Sequence, residues 1–289
     1  MYGSLEEILA VSKQSGLPFW KVVQLEDCRE EDITEETSFE KMREMYRAMR
    51  DTDQAYDPAL QSASGLVGTD GAKVRERRLA GKLLSGDLMG LVMERALRTA
   101  ESNACMKRIV AAPTAGSCGV MPAVLLTIQE HLQLGEERMT EALYTAAGIG
   151  GVIALRASLS GAEGGCQAEI GSASAMTAGA VVYLSGGSAS QMTQAAALAL
   201  KGLLGLACDP VAGLVEVPCV KRNVIGAVNA ITSADMALAG IRSRIPPDQV
   251  IDAMKSIGHA MSPELRETGK GGLAATPEGT AILNRMKRH

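Results

Sequence analysis

Four loops combine glycine or proline with reactive side chains, and four of the six cysteines lie in them. The loops are 62–73, 112–122, 161–167 and 208–223. Cys208 and Cys219 bracket one that Pro210 and Pro218 stiffen, and Cys166 ends a glycine-rich one. There is no Cys-x-x-Cys, and His131, His259 and His289 are the whole histidine supply, so zinc-finger spacing is missing. A Ser-His-Asp triad would have to draw on His131 or His259, each at a helical position. The ordinary role of a lone cysteine is that of a small buried hydrophobe. Cys28 and Cys105 suit that role, whereas Cys118, inside 112–122, suits it less. Three loop thiolates with no fourth in register have one specific chemical use. They can hold a 4Fe-4S cluster through three irons and leave the fourth open as a Lewis acid. Spacing alone leaves both roles open.

Loop 112–122 has two readings. Small residues before a helix let backbone N–H groups approach a carboxylate or phosphate, which the helix dipole favours. The same composition also makes an ordinary glycine-rich turn. Without a Gly-Lys-Ser/Thr ending it is no P-loop, so a nucleotide does not suit it.

Helices must carry these loops. Ser4 and Glu7 form a capping box opening a helix that Gly16 closes. Pro18 starts a second over 19–28, and Ser38 caps a charged third through Met42, Met45, Tyr46 and Met49 that stops before Pro58. Further helices are expected over 72–84, 88–104, 120–133, 140–159, 166–184, 189–206, 220–241, 247–259 and 277–287. Asp87, Thr140, Ser188 and Thr276 read as caps before starts, and Gly86, Gly135 and Gly161 as stops after ends. Only 107–111 and 213–217 look strand-like. The fold class is therefore mostly α, with inner helices apolar nearly all round, which belong at the centre of a layered bundle. Residues 1–61 form a charged helical portion and 62–289 a Gly/Ala-rich core, a composition shift within one domain over 1–289.

Composition narrows the function. Apolar residues make up 46% and charged residues 21% of 289, which is globular and not disordered. A net charge of −4 advertises no nucleic-acid or anionic-membrane surface. With 3% aromatics and 31 Gly, close helix–helix approach is favoured over a β-sandwich. The charge-free run 170–200 is long enough to span a bilayer, but 185–191 breaks it and its apolar residues are mostly Ala, so it reads as two buried helices. No secretory signal opens the sequence. A cytoplasmic location is expected, where cysteines stay reduced.

The motifs Ser-Gly-Leu-Val-Gly-Thr-Asp-Gly (64–71), Ala-Ala-Pro-Thr-Ala-Gly-Ser-Cys-Gly-Val-Met-Pro (111–122) and Glu-Gly-Gly-Cys-Gln-Ala-Glu-Ile-Gly (163–171) resemble the α chain of bacterial iron–sulfur-dependent L-serine dehydratases. The resemblance continues through Cys-Asp-Pro-Val-Ala-Gly-Leu-Val-Glu-Val-Pro-Cys (208–219) and Glu-Thr-Gly-Lys-Gly-Gly-Leu-Ala (267–274). It implies an all-helical catalytic domain around a buried central helix, with Cys166, Cys208 and Cys219 as ligands of a 4Fe-4S cluster. In single-chain members a regulatory domain precedes this region, so a separate β chain is implied as partner, with L-serine as substrate and pyruvate and ammonia as products. The open iron would polarise the β-hydroxyl, while Thr114, Gly116 and Ser117 hold the carboxylate. Ser64, Lys73 and Asn223 are further substrate-contact candidates. The proton acceptor is open between Lys73, Glu169 and the β chain. Competing readings are a pyridoxal-phosphate dehydratase using Lys73 and a non-enzymatic iron–sulfur sensor or scaffold.

Overall fold

The computed structural model describes residues 1–287, so His289 lies outside it. Among the described residues thirteen α-helices form and no strand does. The N-terminal portion supplies α1 (Leu5–Ser15), α2 (Phe19–Glu31) and α3 (Glu35–Gln54). Then come α4 (Asp70–Leu79), α5 (Gly86–Ala104), α6 (Val120–Leu132), α7 (Glu136–Arg156) and a single turn, α8 (Gly161–Gly164). The chain closes with α9 (Ser172–Leu184), α10 (Ala189–Leu203), α11 (Cys219–Leu238), α12 (Pro247–Ala260) and α13 (Pro277–Met286).

At the centre is α9, all of whose residues are buried. It packs against α6, α7, α10 and α11. Its sequence explains the position: with no charge and no polar face, it has nothing to offer water on any side. The hydroxyls it carries are spent internally, as when Ser174 Oγ donates to Gly226 O (2.8 Å) and accepts from Asn229 Nδ2 (2.9 Å), tying α9 to α11. Gly179 sets the approach of α7, since a Cβ there would lie 2.2 Å from Ile149 Cδ1 and 3.3 Å from Met192 O. Gly179→Ala is therefore expected to destabilise the fold. Overpacking costs about 1–3 kcal/mol and outweighs the gain of about 1 kcal/mol in helix propensity. Urea unfolding checks this, and an unchanged or raised midpoint contradicts it.

Several caps differ from the sequence reading. Thr34, not Ser38, caps α3: its Oγ1 accepts from Thr37 N (3.2 Å), with Glu35 and Glu36 in the first turn suiting the dipole. Ser38 instead turns inward to Asp27 (2.6 Å) and Tyr144 (2.5 Å). Gly135 precedes α7 and does not end α6, so Thr140 lies inside α7 and donates to Glu136 O (2.9 Å). The left-handed residue that ends α6 is Gln133, with φ 53°. Helix α4 starts before Ala72 because Glu101 of α5 accepts from the Asp70 and Gly71 N–H groups (2.7 and 3.3 Å). Gly86 opens α5 rather than closing α4, which leaves Asp87 in the first turn instead of at the cap. Gly161 opens α8, with Ser160 as its cap.

The two expected strands do not form. Val211 N donates to Val217 O (2.8 Å), folding 211–217 back on itself, and 107–111 has no extended neighbour to pair with. Among the described residues the one bridge, between Cys208 and Arg266, is isolated. No helix is long and apolar enough to cross a membrane among the described residues.

Candidate active site

Cys166 comes from one segment and Cys208 and Cys219 from the two ends of a loop about forty residues further on, and all are buried. Cys166 follows α8 and Gly165, which takes a left-handed φ of 72° where a Cβ would meet Met261 Sδ at 2.7 Å. Directly after it a π-helical turn, Gln167–Gly171, joins onto α9. Such turns insert one extra residue into a helix and re-aim its side chains. Gln167 pins the turn, donating through Nε2 to Met254 O and accepting from Gly205 N, both at 2.9 Å. Cys208 is held on both sides of its backbone: its N–H donates to Leu265 O (2.8 Å) and its carbonyl accepts from Glu267 N (2.7 Å). Cys219 opens α11, directly after Pro218.

The sulfurs interact electrostatically. A hydrogen bond from Cys208 holds the Cys166 thiol below its ordinary range, with the Arg222 guanidinium adding to it against burial. That same hydrogen bond, then burial, pushes Cys208 up. Cys219 is pushed up to about 12 by burial, with the charges of Cys166 and Glu169 adding. Cys118 belongs elsewhere: it is wholly buried, raised to about 12 by desolvation, and points its Sγ at Thr99 O (3.9 Å). Cys28 and Cys105 are half-buried.

Beside the thiols lies the turn Ala115–Ser117, a short 3-10 segment. Thr114 and Ser117 cap it reciprocally, with Thr114 N donating to Ser117 Oγ (3.3 Å). Thr114 Oγ1 also donates to Glu169 Oε1 (2.7 Å), and Glu169 Oε2 stands 3.9 Å from Cys208 Sγ. The π-helical turn thus aims Glu169 between the turn and the sulfurs. Burial raises the Glu169 carboxyl above its usual range and the charge of Glu267 adds, while bonds from Thr114 and Cys208 oppose them. Gly116 packs on the same carboxylate, since a Cβ would lie 3.1 Å from Glu169 Oε1. A Cβ at Gly161 would lie 2.8 Å from Glu169 Oε2, 3.0 Å from Cys208 Sγ and 3.2 Å from Glu267 Oε2. Two glycines therefore leave room where carboxylates, a hydroxyl and sulfur converge.

Asn223 braces this arrangement from α11. It is buried, accepts from Gly119 N (2.8 Å), and donates to Gly116 O (2.8 Å) and Cys219 O (2.9 Å). The N–H at the mouth of α6 is thus taken by a side chain.

Ser64 and Lys73 are engaged elsewhere. Ser64 Oγ, with Ser62 Oγ, donates to Glu216 Oε2 (2.5 and 2.8 Å). Lys73 is exposed and paired with Asp70 (2.8 Å), which also pairs with Lys221 (2.6 Å). Burial opposes these pairs, but bonds from Lys221 and Lys73 hold the Asp70 carboxyl below its ordinary 3.8. A carboxyl depressed by folding contributes stability above its unfolded pKa and loses it as pH falls through the folded one. Asp70→Asn should therefore cost under about 1 kcal/mol at neutral pH, because both lysines are largely solvated. The stability curves of variant and unaltered chain should converge below about pH 4. Parallel curves down to strong acid contradict this.

Three residues that touch the site were missed as candidates: Glu267, Asp209 and Arg222. Each left a signal: Asp209 and Glu267 lie in the quoted motifs, and Arg222 follows Cys219 by three residues and hence shares its helical face.

An all-helical domain whose thiols gather beside a hydroxyl-lined turn is the class of protein that fold and site define. A family model described as serine dehydratase alpha chain matches residues 14–274, and the chain belongs to that family. It is 47% identical to the probable L-serine dehydratase, alpha chain, of Bacillus subtilis over 286 residues, which is 99% of this chain and 95% of that one. Identity to the L-serine dehydratase, alpha chain, of Peptoniphilus asaccharolyticus is 40%, over 98% of this chain and 97% of the relative. With the L-serine dehydratase of Helicobacter pylori it is 35%, over 95% of this chain but only 62% of that longer protein.

Proposed function

We propose that this chain is the catalytic α chain of an iron–sulfur L-serine dehydratase that converts L-serine to pyruvate and ammonia together with a separate β chain. The observation that carries the reading is the meeting of Cys166, Cys208 and Cys219 beside the Thr114–Ser117 turn. Family membership supports the substrate. The alpha-chain names of the relatives, and the extra length of the Helicobacter protein, support a second chain.

The donor set suits the cofactor. Soft thiolates favour iron–sulfur clusters over hard single cations. Among the described residues no three His, Cys, Asp or Glu side chains gather tightly enough for a lone ion. When bound, a 4Fe-4S cluster held by three cysteines supplies Lewis acidity at its fourth iron.

The chain's own residues do the positioning. The Thr114–Ser117 turn would meet the substrate carboxylate chiefly through backbone N–H groups, since its hydroxyls are bonded to Glu169 and to each other, and holding that group fixes the angle between the Cα proton and the departing hydroxyl. Glu169 fixes the Thr114 hydroxyl, and Asn223 fixes the turn's backbone. Burial of the thiols keeps bulk water from the sulfurs. Loss of water from L-serine gives 2-aminoacrylate, whose imine tautomer takes up water and releases ammonia and pyruvate. Lys73, exposed and ion-paired, offers no enclosed amine for a Schiff base.

The test is anaerobic co-expression with the β chain. Brown protein with iron, acid-labile sulfide and air-sensitive formation of pyruvate from L-serine is expected. Iron-independent pyruvate formation contradicts the cluster, and a cluster without serine turnover contradicts the enzyme.

A further inference from the structure

We propose that Arg222 is the positioning residue of the thiol site, a single guanidinium fork that keeps the Cys208 and Cys219 segments in register and sets a fixed positive charge beside their sulfurs. The electrostatic half of this inference rests on the iron–sulfur reading, and the mechanical half does not.

Arg222 shares a helical face with Cys219, three residues earlier on α11. Its Nη1 donates to Ala207 O (2.7 Å) and its Nη2 pairs with Asp209 Oδ1 (2.8 Å). One side chain from α11 therefore grips the residues on both sides of Cys208. Asp209 extends the grip: its other oxygen accepts from Leu273 N (2.8 Å), which ties down the turn Gly272–Ala275. That turn fits tightly, since a Cβ at Gly272 would lie 2.4 Å from Asp209 Oδ2. The Arg222 side chain is only 16% exposed and the Asp209 side chain 7%, so solvent screens the pair weakly. Because Arg222 follows Cys219 by three residues on one helix and holds the residues on both sides of Cys208, its charge stands beside the thiol site. The guanidinium hydrogen-bonds a carbonyl through one nitrogen and holds a carboxylate by charge through another, whereas a lysine ammonium keeps the charge on a single nitrogen.

Arg222→Gln and Arg222→Lys in the full chain, purified anaerobically with its β chain, separate the two halves. Removing the charge should move the cluster's reduction potential to a more negative value, because a nearby cation favours the added electron. The Gln variant should also lose iron to a chelator ~10–100-fold faster, the usual effect of removing a partner that orients metal ligands. The Lys variant should keep a potential near that of the unaltered protein while still losing iron faster. In the metal-free chain, both variants should show faster hydrogen exchange at the Cys208 and Leu273 amides, which needs no cluster. Unchanged exchange overturns the fork, and an unchanged potential in Arg222→Gln overturns the charge. Failure of the unaltered chain to assemble any cluster contradicts the iron–sulfur reading and removes the electrostatic half with it, while the exchange measurement still decides the fork.

Discussion

Cys208→Ala, purified anaerobically with the β chain, is expected to hold no intact cluster and to lose serine turnover by at least ~10³-fold, which corresponds to about 4 kcal/mol of barrier. The reason is positional. Cys208 lies between the other members of the site: its Sγ stands 3.9 Å from Glu169 Oε2 and interacts electrostatically with Cys166. Its backbone is fixed by Leu265 O and Glu267 N, which holds the thiol in this position. Two sulfurs would remain, too few to retain an iron–sulfur core against water. Cys105→Ala is the control, because its half-buried thiol is part of no such cluster and its turnover should stay near that of the unaltered enzyme. Iron per chain and initial rates of pyruvate formation decide the matter. Full iron and full rate in Cys208→Ala would remove this residue from the ligand set.

The second large effect is expected at Asn223, although the chemistry takes place elsewhere. Asn223→Ala strands the Gly119 N–H and the Gly116 carbonyl in a buried site, at about 1–3 kcal/mol for each unsatisfied group. More consequential is the release of the 114–119 segment, since a displacement of about 1 Å in a substrate-holding element can cost ~10²-fold in rate. A fall in kcat/KM of about that size is expected, together with a lowered unfolding midpoint. Asn223→Asp keeps the acceptor for Gly119 but turns a carboxylate oxygen toward the Gly116 and Cys219 carbonyls, and should be no milder than Asn223→Ala. A stable Asn223→Ala chain with unimpaired kcat/KM contradicts the bracing role.

What could be read in advance follows physical range. Helix α9 was legible because a charge-free run broken at 185–191 has few other places to go. Ser188 and Thr276 were legible as caps because their partners, Gln191 N and Gly279 N, are three residues away. Ser38 and Thr34 are chemically alike and both precede acidic residues. The choice between them is settled by Tyr144, 106 residues from Ser38, which no local rule weighs. The π-helical turn was invisible because one inserted residue leaves the apolar pattern of 166–184 intact. Yet that residue decides where Glu169 points. The contacts of Asp209 with Leu273 and of Glu267 with Cys208 span about sixty residues, so the last third of the motif set could be matched but not placed. Thr114, Gly116 and Ser117 were read as one carboxylate-holding unit. The structure sets Thr114 and Gly116 against Glu169, whereas Ser64 and Lys73 face other partners.

The central claim is that three buried sulfurs leave one iron free for the substrate. Mössbauer spectra of anaerobic, iron-57-loaded protein with its β chain, recorded before and after addition of L-serine, test it most directly. The account predicts one iron in four changing its isomer shift and quadrupole splitting on serine addition while the other three stay fixed. Four equivalent irons indifferent to serine, or no iron at all, would contradict it.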